Sequence, residues 1–412
     1  MAELSAQATT VDFNFGVAEA NDFILDDATR GVLDGSTYRL ADGFSSVTAD
    51  VTSVTIRRGR FSQLFDVFDA GSCTIALDNQ DRTYDPQYSS SPYYGYIIPG
   101  RQVRITTGTT SIFVGKVEDW NFEYDVSTRS TAIAQATDAL GQFGYQNLIN
   151  FTPTGGQLPG ARLIDVANNA SWPIVDTDFD PGVSTLQADT PDANTNDLSY
   201  MQEVAKSDLG YLFASRTGVL TFRDRHHLFN GVMSGATFGP AGIGITSVAI
   251  SYGTEQLYST VTVTRDGGTA QTVTLTSIQD FVETYGVPRS LAVSGLLLET
   301  DTQSLDMATY LLGIYDTPEY RIDSVTVQLA GLTTGNQNLV LGLEIGSLVA
   351  FSFTPNNVGS PITQDLVVQG IRHDIAPKSH LVTFAFVSSA SREFFQLDSA
   401  DFGVLNVNAL AF

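Results

Sequence analysis

The sequence predicts a mainly β, α+β protein: two β-barrel domains, a small α/β module inserted between them, and a second, helix-containing insert. Three observations lead there. Short β-branched runs recur along most of the chain, bounded by Gly, Pro, Asn and Asp. The composition holds 36 glycines and 14 prolines beside many Thr, Ser and Val residues, as a loop-rich β protein does. Helical periodicity is confined to a few windows after residue 160. At 412 residues and 42% hydrophobic content the chain exceeds one ordinary core, so two to four domains are expected.

Residues 1–47 read as an N-terminal arm in which Val11–Phe15 forms a strand. The first barrel, 48–150, contains Val54–Ile56, Cys73–Leu77, Val103–Ile105, Ser111–Val117 and Arg129–Thr137, the last alternating through Ala132, Ala134 and Ala136. Asp78, Asn79, Asp81, Asp85-Pro86 and Pro99-Gly100 punctuate these runs with turn chemistry. Thr152–Pro159 is a linker by composition. The α/β insert, 151–235, follows: a helix over Ala161–Ala170, and another over Leu198–Leu209 with Asn196 or Asp197 as N-cap and Gly210 as stop. Tyr211–Ala214 and Val219–Phe222 around Thr217-Gly218 then make a hairpin. The second barrel takes 236–267 and 319–390, with strands at Ile245–Ser251, Tyr258–Arg265, Arg321–Leu329, Leu348–Phe353, Asp365–Arg372 and Leu381–Val387. Between its parts, 268–318 carries the helix Ser304–Tyr315, amphipathic through Leu305, Ala308, Leu311 and Leu312 and stopped before Pro318.

Residues 391–412 form a C-terminal arm that echoes the N-terminal one. Phe23–Asp34 and Phe395–Asn406 are identical at seven of twelve positions. Phe23 and Leu25, like Phe395 and Leu397, are apolar anchors two residues apart on one face of an extended segment. Gly31 and Leu33, like Gly403 and Leu405, belong to a Gly-Val-Leu return. These eight residues are the candidate docking sites for assembly.

The formal charge of −24, with only Lys116, Lys206 and Lys378 as ammonium groups, argues against a dedicated nucleic-acid surface. Cys73 is the only cysteine, sits in an apolar strand and reads as a small buried hydrophobe. No apolar stretch reaches the length of a membrane span, and the start Met-Ala-Glu-Leu-Ser has neither a basic region nor an apolar run, so no signal peptide and no membrane insertion are expected. No catalytic residue, metal site or cofactor is expected. His226-His227 on a strand would face opposite ways, and His373 and His380 flank a Pro-Lys turn; none has zinc-site spacing. No nucleophile elbow and no phosphate loop occurs. Asp26-Asp27, Asp78/Asp81/Asp85 and Asp178/Asp180 lack the spacing of a calcium loop and read as turn and cap residues. Tyr93-Tyr94-Gly95-Tyr96 and Trp120/Phe122/Tyr124 would serve a sugar platform, though such clusters more often form barrel corners or subunit contacts.

Several of these segments stand in an order seen elsewhere. A strand ending in Arg58-Gly59-Arg60, the Ala70-Gly71-Ser72 strand, the loop Asn79–Pro86 and Pro92-Tyr93-Tyr94-Gly95 resemble the first barrel of minor tail proteins of long-tailed bacteriophages. The α/β pattern from Leu198 to Phe222 and Gln369–Pro377 with His380 are similar to the hub proteins of phage baseplates and tail tips. The resemblance covers about residues 48–390. It implies a non-enzymatic virion protein at the tail tip, assembled in the host cytoplasm, that caps or extends the tail tube. Its implied partners are a distal tail protein, a tape-measure protein and receptor-binding or fibre proteins. Two similar barrels per chain suit a homotrimer that adapts a six-fold tube to a three-fold tip. The acidity suits a bore through which DNA slides without specific binding. Two other readings stand beside it: a hexameric distal tail protein, and a carbohydrate-binding or cell-wall-degrading tail module.

Overall fold

The computed structural model describes residues 6–16, 43–61, 67–125, 130–192, 194–229, 233–389, 394–395 and 409–410. It is mainly β, with most of its helices in two inserts. The first half comprises β1 (Thr9–Asn14), β2 (Phe44–Ser46), β3 (Val51–Gly59), β4 (Ser72–Asp78), β5 (Gln102–Thr107), β6 (Thr110–Tyr124) and β7 (Ser130–Thr137). Alternation places Val54 and Ile56, Cys73, Ile75 and Leu77, and Val103 and Ile105 inside. Ala132, Ala134 and Ala136 are small for a reason: across β7 they lie opposite Leu77, Ile75 and Cys73 on one side and Phe122, Trp120 and Val117 on the other. Small residues facing large ones fill the layer without voids.

Next comes the α/β insert. It holds α1 (Ala139–Phe143), α2 (Pro159–Asn169), β8 (Thr177–Phe179), α3 (Asp197–Ser207), β9 (Tyr211–Ala214), β10 (Leu220–Arg223) and α4 (Arg225–Phe229). Pro159 opens α2, where a missing N–H costs nothing. Asn196 is the N-cap of α3, accepting from the Ser199 amide. Gly210 is not the left-handed stop. Leu209 takes that conformation at φ +53°. Gly210 is needed instead because a Cβ there would lie 2.5 Å from the Phe222 ring. His226 and His227 sit on α4, not on a strand.

The remaining elements are β11 (Met233–Phe238), β12 (Ser247–Ser251), β13 (Thr260–Arg265), β14 (Gln271–Thr274), α5 (Ile278–Tyr285), β15 (Ser290–Leu296), α6 (Asp301–Ile314), β16 (Arg321–Gln328), α7 (Thr334–Gly342), β17 (Leu348–Phe353), β18 (Ile362–Ala376), β19 (Ser379–Ser388), β20 (Phe394–Phe395) and β21 (Ala409–Leu410). β13, expected in the second barrel, pairs instead with β14 and β15. α6 covers that small sheet, opened by a Thr300/Gln303 capping box.

The two β halves are joined in one 13-stranded sheet, ordered β12-β16-β19-β18-β3-β4-β7-β6-β5-β1-β2, with β17 and β11 branching from β18. One hydrophobic core runs through both. The halves also repeat each other. β3-β4-β7-β6-β5 and β12-β16-β19-β18-β17 are the same spatial order of strands taken in the same chain order, antiparallel throughout. β6 and β18 are each 15 residues long. Each carries a bulge at the corresponding place, between Val117 and Asp119 and between Val368 and Gly370. The outer strands differ: β1 joins β5 antiparallel, whereas β11 joins β17 parallel.

Candidate functional site

The residues that carry the sequence motifs converge where the two halves and the α/β insert meet. β3 pairs with β18 from Val54 opposite Ile375 to Gly59 opposite Gly370. Gly59 stands at φ +81°, and a Cβ on it would lie 2.2 Å from the Gln369 carbonyl oxygen. A Cβ on Gly370 would lie 2.4 Å from the Arg60 carbonyl oxygen. The two backbones therefore meet at a point that only glycines fit.

The arginines on either side of Gly59 are buried, 2% and 6% exposed. Arg58 Nη1 donates to Glu344 Oε1 at 2.7 Å and to the Ala214 carbonyl at 3.2 Å. Glu344 Oε2 accepts the Arg216 amide at 2.8 Å. One guanidinium thus ties β3 to the end of β9 and to the segment before β17. Arg60 donates to Gln369 Oε1 at 3.1 Å and lies 4.7 Å over the Phe68 ring and 5.1 Å over the Tyr211 ring. Gln369 in turn donates to the Tyr211 hydroxyl at 3.2 Å. Asp138 caps α1 and accepts the Gly71 amide at 2.8 Å and the Leu140 amide at 3.0 Å. Burial pushes its carboxyl up to about 7, against the opposing pull of the Gly71 amide and Arg58.

The 79–101 loop is held by the same logic. Asn79 accepts the Tyr84 amide, and the Tyr84 hydroxyl donates to Asp50 at 2.6 Å. Asp85 accepts from Gln87, Arg82 and Tyr124. Asp78 accepts the Gln80 amide. Asp178 and Asp180 bind Arg223, and Asp180 also meets His227 at 3.0 Å. Among the described residues no three His, Cys, Asp or Glu side chains group as metal ligands. Tyr93 and Trp120 join Phe13 and Phe15 in an aromatic stack, which leaves Tyr94, Tyr96 and Tyr124 at the surface.

His373 and His380 form a buried pair across the β18–β19 hairpin, Nδ1 to Nε2 at 3.0 Å. Burial lowers both, and His380 falls from 6.5 to about 4. The folded state then binds fewer protons than the unfolded chain between these values. Stability is present above pH ~6.5 and is lost as pH falls through that window, by on the order of 3 kcal/mol for His380 alone. Asp138 acts with the opposite sign, losing stability as pH rises from the ordinary carboxylate range to about 7. Because Asp138 offsets part of the loss, the readout is the difference: between pH 7 and 4 urea midpoints of the native sequence should fall relative to those of His380→Gln. Equal slopes would exclude the pair as the cause.

Of the eight docking candidates, Phe23, Leu25, Gly31, Leu33, Leu397, Gly403 and Leu405 lie outside the described residues. Phe395 falls in β20, which pairs parallel with β21. The residues that sequence reasoning passed over are Glu344, Asp138 and Gln369's carbonyl, each defined by a partner far away in the chain.

This fold is shared with solved structures of tail proteins at low sequence identity. A tail protein from Neisseria meningitidis MC58 matches with TM-score 0.59 and 11% identity, over 92% of this chain and 96% of that one. The 43 kDa tail protein of prophage MuSo2 from Shewanella oneidensis matches with TM-score 0.56 and 15% identity, over 85% and 96%. A chain of the Francisella PdpA–VgrG complex matches with TM-score 0.53 and 10% identity over 95% of this chain, which spans only 54% of that one. No protein-family model and no curated protein sequence matches the chain. Among the described residues no helix is long and apolar enough to cross a membrane.

Proposed function

We propose that this chain is a structural subunit of a phage or phage-like tail, placed at the tail tip or baseplate hub. The observation that carries the reading is the repeated order of five antiparallel strands within one sheet, in a fold shared with two solved tail proteins over nearly their whole length. A chain with two equivalent halves offers six similar surfaces from three copies. A closed homotrimer therefore matches a six-fold tube on one side and a three-fold tip on the other. In this role the chain caps or extends the tube beside a distal tail protein, receives the end of a tape-measure protein, and carries receptor-binding or fibre proteins. The net charge of −24 favours a bore that does not hold DNA. The role is mechanical, and purified protein should release neither sugar nor peptide from host cell wall.

Native mass measurement of the purified full chain tests the reading. Closed trimers are expected; a monodisperse hexamer, or a monomer at high concentration, would overturn it. The terminal strips have their own test. Burying a Phe and a Leu contributes on the order of 1.5–3 kcal/mol each. The double change Phe395→Ala and Leu397→Ala should weaken assembly and leave the thermal midpoint of the body unchanged. Unchanged assembly would remove the strips from the interface.

A further inference from the structure

Among the described residues the repeat leaves two open sheet edges, and the internal junction shows what fits them. β3 lies between β4 and β18, whereas its counterpart β12 has β16 on one side and, among the described residues, no strand on the other. One edge of β18 carries β17 along Ile362–Val367 and β3 along Gly370–Ile375. The same edge of β6 carries β5 up to Lys116 and, among the described residues, no strand along Asp119–Tyr124; β7 lies on its opposite edge. Unpaired edges of this kind are templates for strand addition. Their exposed positions include Ser247 and Ala249 on β12, and Asp119, Asn121, Glu123 and Tyr124 on β6.

We propose that β12 of one copy adds antiparallel to the Asp119–Tyr124 edge of β6 in a second copy, repeating between chains the β3–β18 ladder within the chain. The inference rests on the ring reading above and names its interface. The equivalences fix the register. Lys116 matches Val367, since each opens the pairing with β5 or β17 respectively. Asp119 matches Gly370, the first residue after each bulge. On the other side, Val248 and Ala249 match Val54 and Thr55, because they pair with Val325 and Ser324 as those pair with Ile75 and Thr74. Val54 opposite Ile375 thus becomes Val248 opposite Tyr124, and Thr55 opposite Asp374 becomes Ala249 opposite Glu123. Beyond Ala249 the two strands diverge, because β16 holds an extra residue, Asp323, at its bulge. Tyr252, 61% exposed and tilted against Tyr320 at 4.9 Å between ring centroids, extends the same edge with the amphipathic rings that interfaces favour. Joining two different edges is heterologous, and such a contact forms a ring when its rotation closes, as the trimer reading requires.

The test is the full chain carrying Ala249→Cys and Glu123→Cys. Opposed residues of antiparallel strands have Cα atoms about 4.5–5.5 Å apart, within disulfide reach. Cys73 is 1% exposed and does not compete. Mild oxidation should give covalently closed trimers, which neither single variant gives. If native mass shows trimers that do not cross-link, this interface is wrong while the trimer reading stands. If the native sequence forms no trimer, that reading falls and the interface with it. Should the double variant fail to assemble, hydrogen exchange of the native assembly decides. Amides of β12 and of Asp119–Tyr124 protected only in the oligomer support the pairing, and unprotected ones overturn it.

Discussion

Gly59→Ala is expected to destabilise the folded chain by on the order of 3 kcal/mol or more. Two costs combine. An alanine at φ +81° pays about 1–2 kcal/mol for the left-handed region. Its Cβ would also stand 2.2 Å from the Gln369 carbonyl oxygen and 2.9 Å from Gly370 Cα, and both obstacles are backbone. Relief requires β3 and β18 to part at the seam between the halves, with loss of Arg60's amide bond to Gln369. Gly331→Ala is the control: φ is +99° there, with no atom within 4 Å of the new methyl. It should show the conformational cost alone. Urea midpoints of the two variants that coincide would refute the close-approach argument.

Arg58→Ala should cost about 3–5 kcal/mol, the range for removing one partner of a buried ion pair. The loss strands Glu344, whose side chain is 21% exposed, and leaves the Ala214 carbonyl without its donor. Glu344→Gln should cost less, since the amide oxygen still accepts from Arg58, although its NH2 group then meets the Arg216 amide in place of an acceptor. The double variant should fall short of the sum, because the two side chains act as one unit. Strict additivity in the denaturation cycle would show that the pair contributes nothing. Arg58 also joins the α/β insert to both halves, so limited proteolysis of the variant should cut first around Ser215–Gly218.

Local chemistry made much of this fold readable. The β9–β10 hairpin announces itself through Thr217-Gly218, with Gly218 at φ +86°. α3 is marked by Asn196 and its apolar face. β13 has the same alternation whichever sheet it joins, so Val261 and Val263 point equally to a barrel strand and to the separate sheet under α6. α7 contains Gly335, Asn336 and Gly342, which suppress a helical signal, and it forms because Val340 and Leu341 reach the main core. The Arg-Gly-Arg triplet was visible, but its partners at Gln369, Glu344 and Ala214 lie more than a hundred residues away and leave no local trace. The docking strips are written in sequence identity alone.

The two halves are equal in strand order and unequal in what hangs from them. Between β12 and β16 the second half inserts β13, β14, α5, β15 and α6; the first half has only the short connection from β3 to β4 in that place. Duplication with one-sided insertion fixes valency. A ring of three such chains repeats its strand framework six times, but presents each insert three times. A fibre or enzyme fastened to that insert would be carried in threes by a ring that still fits a six-fold tube.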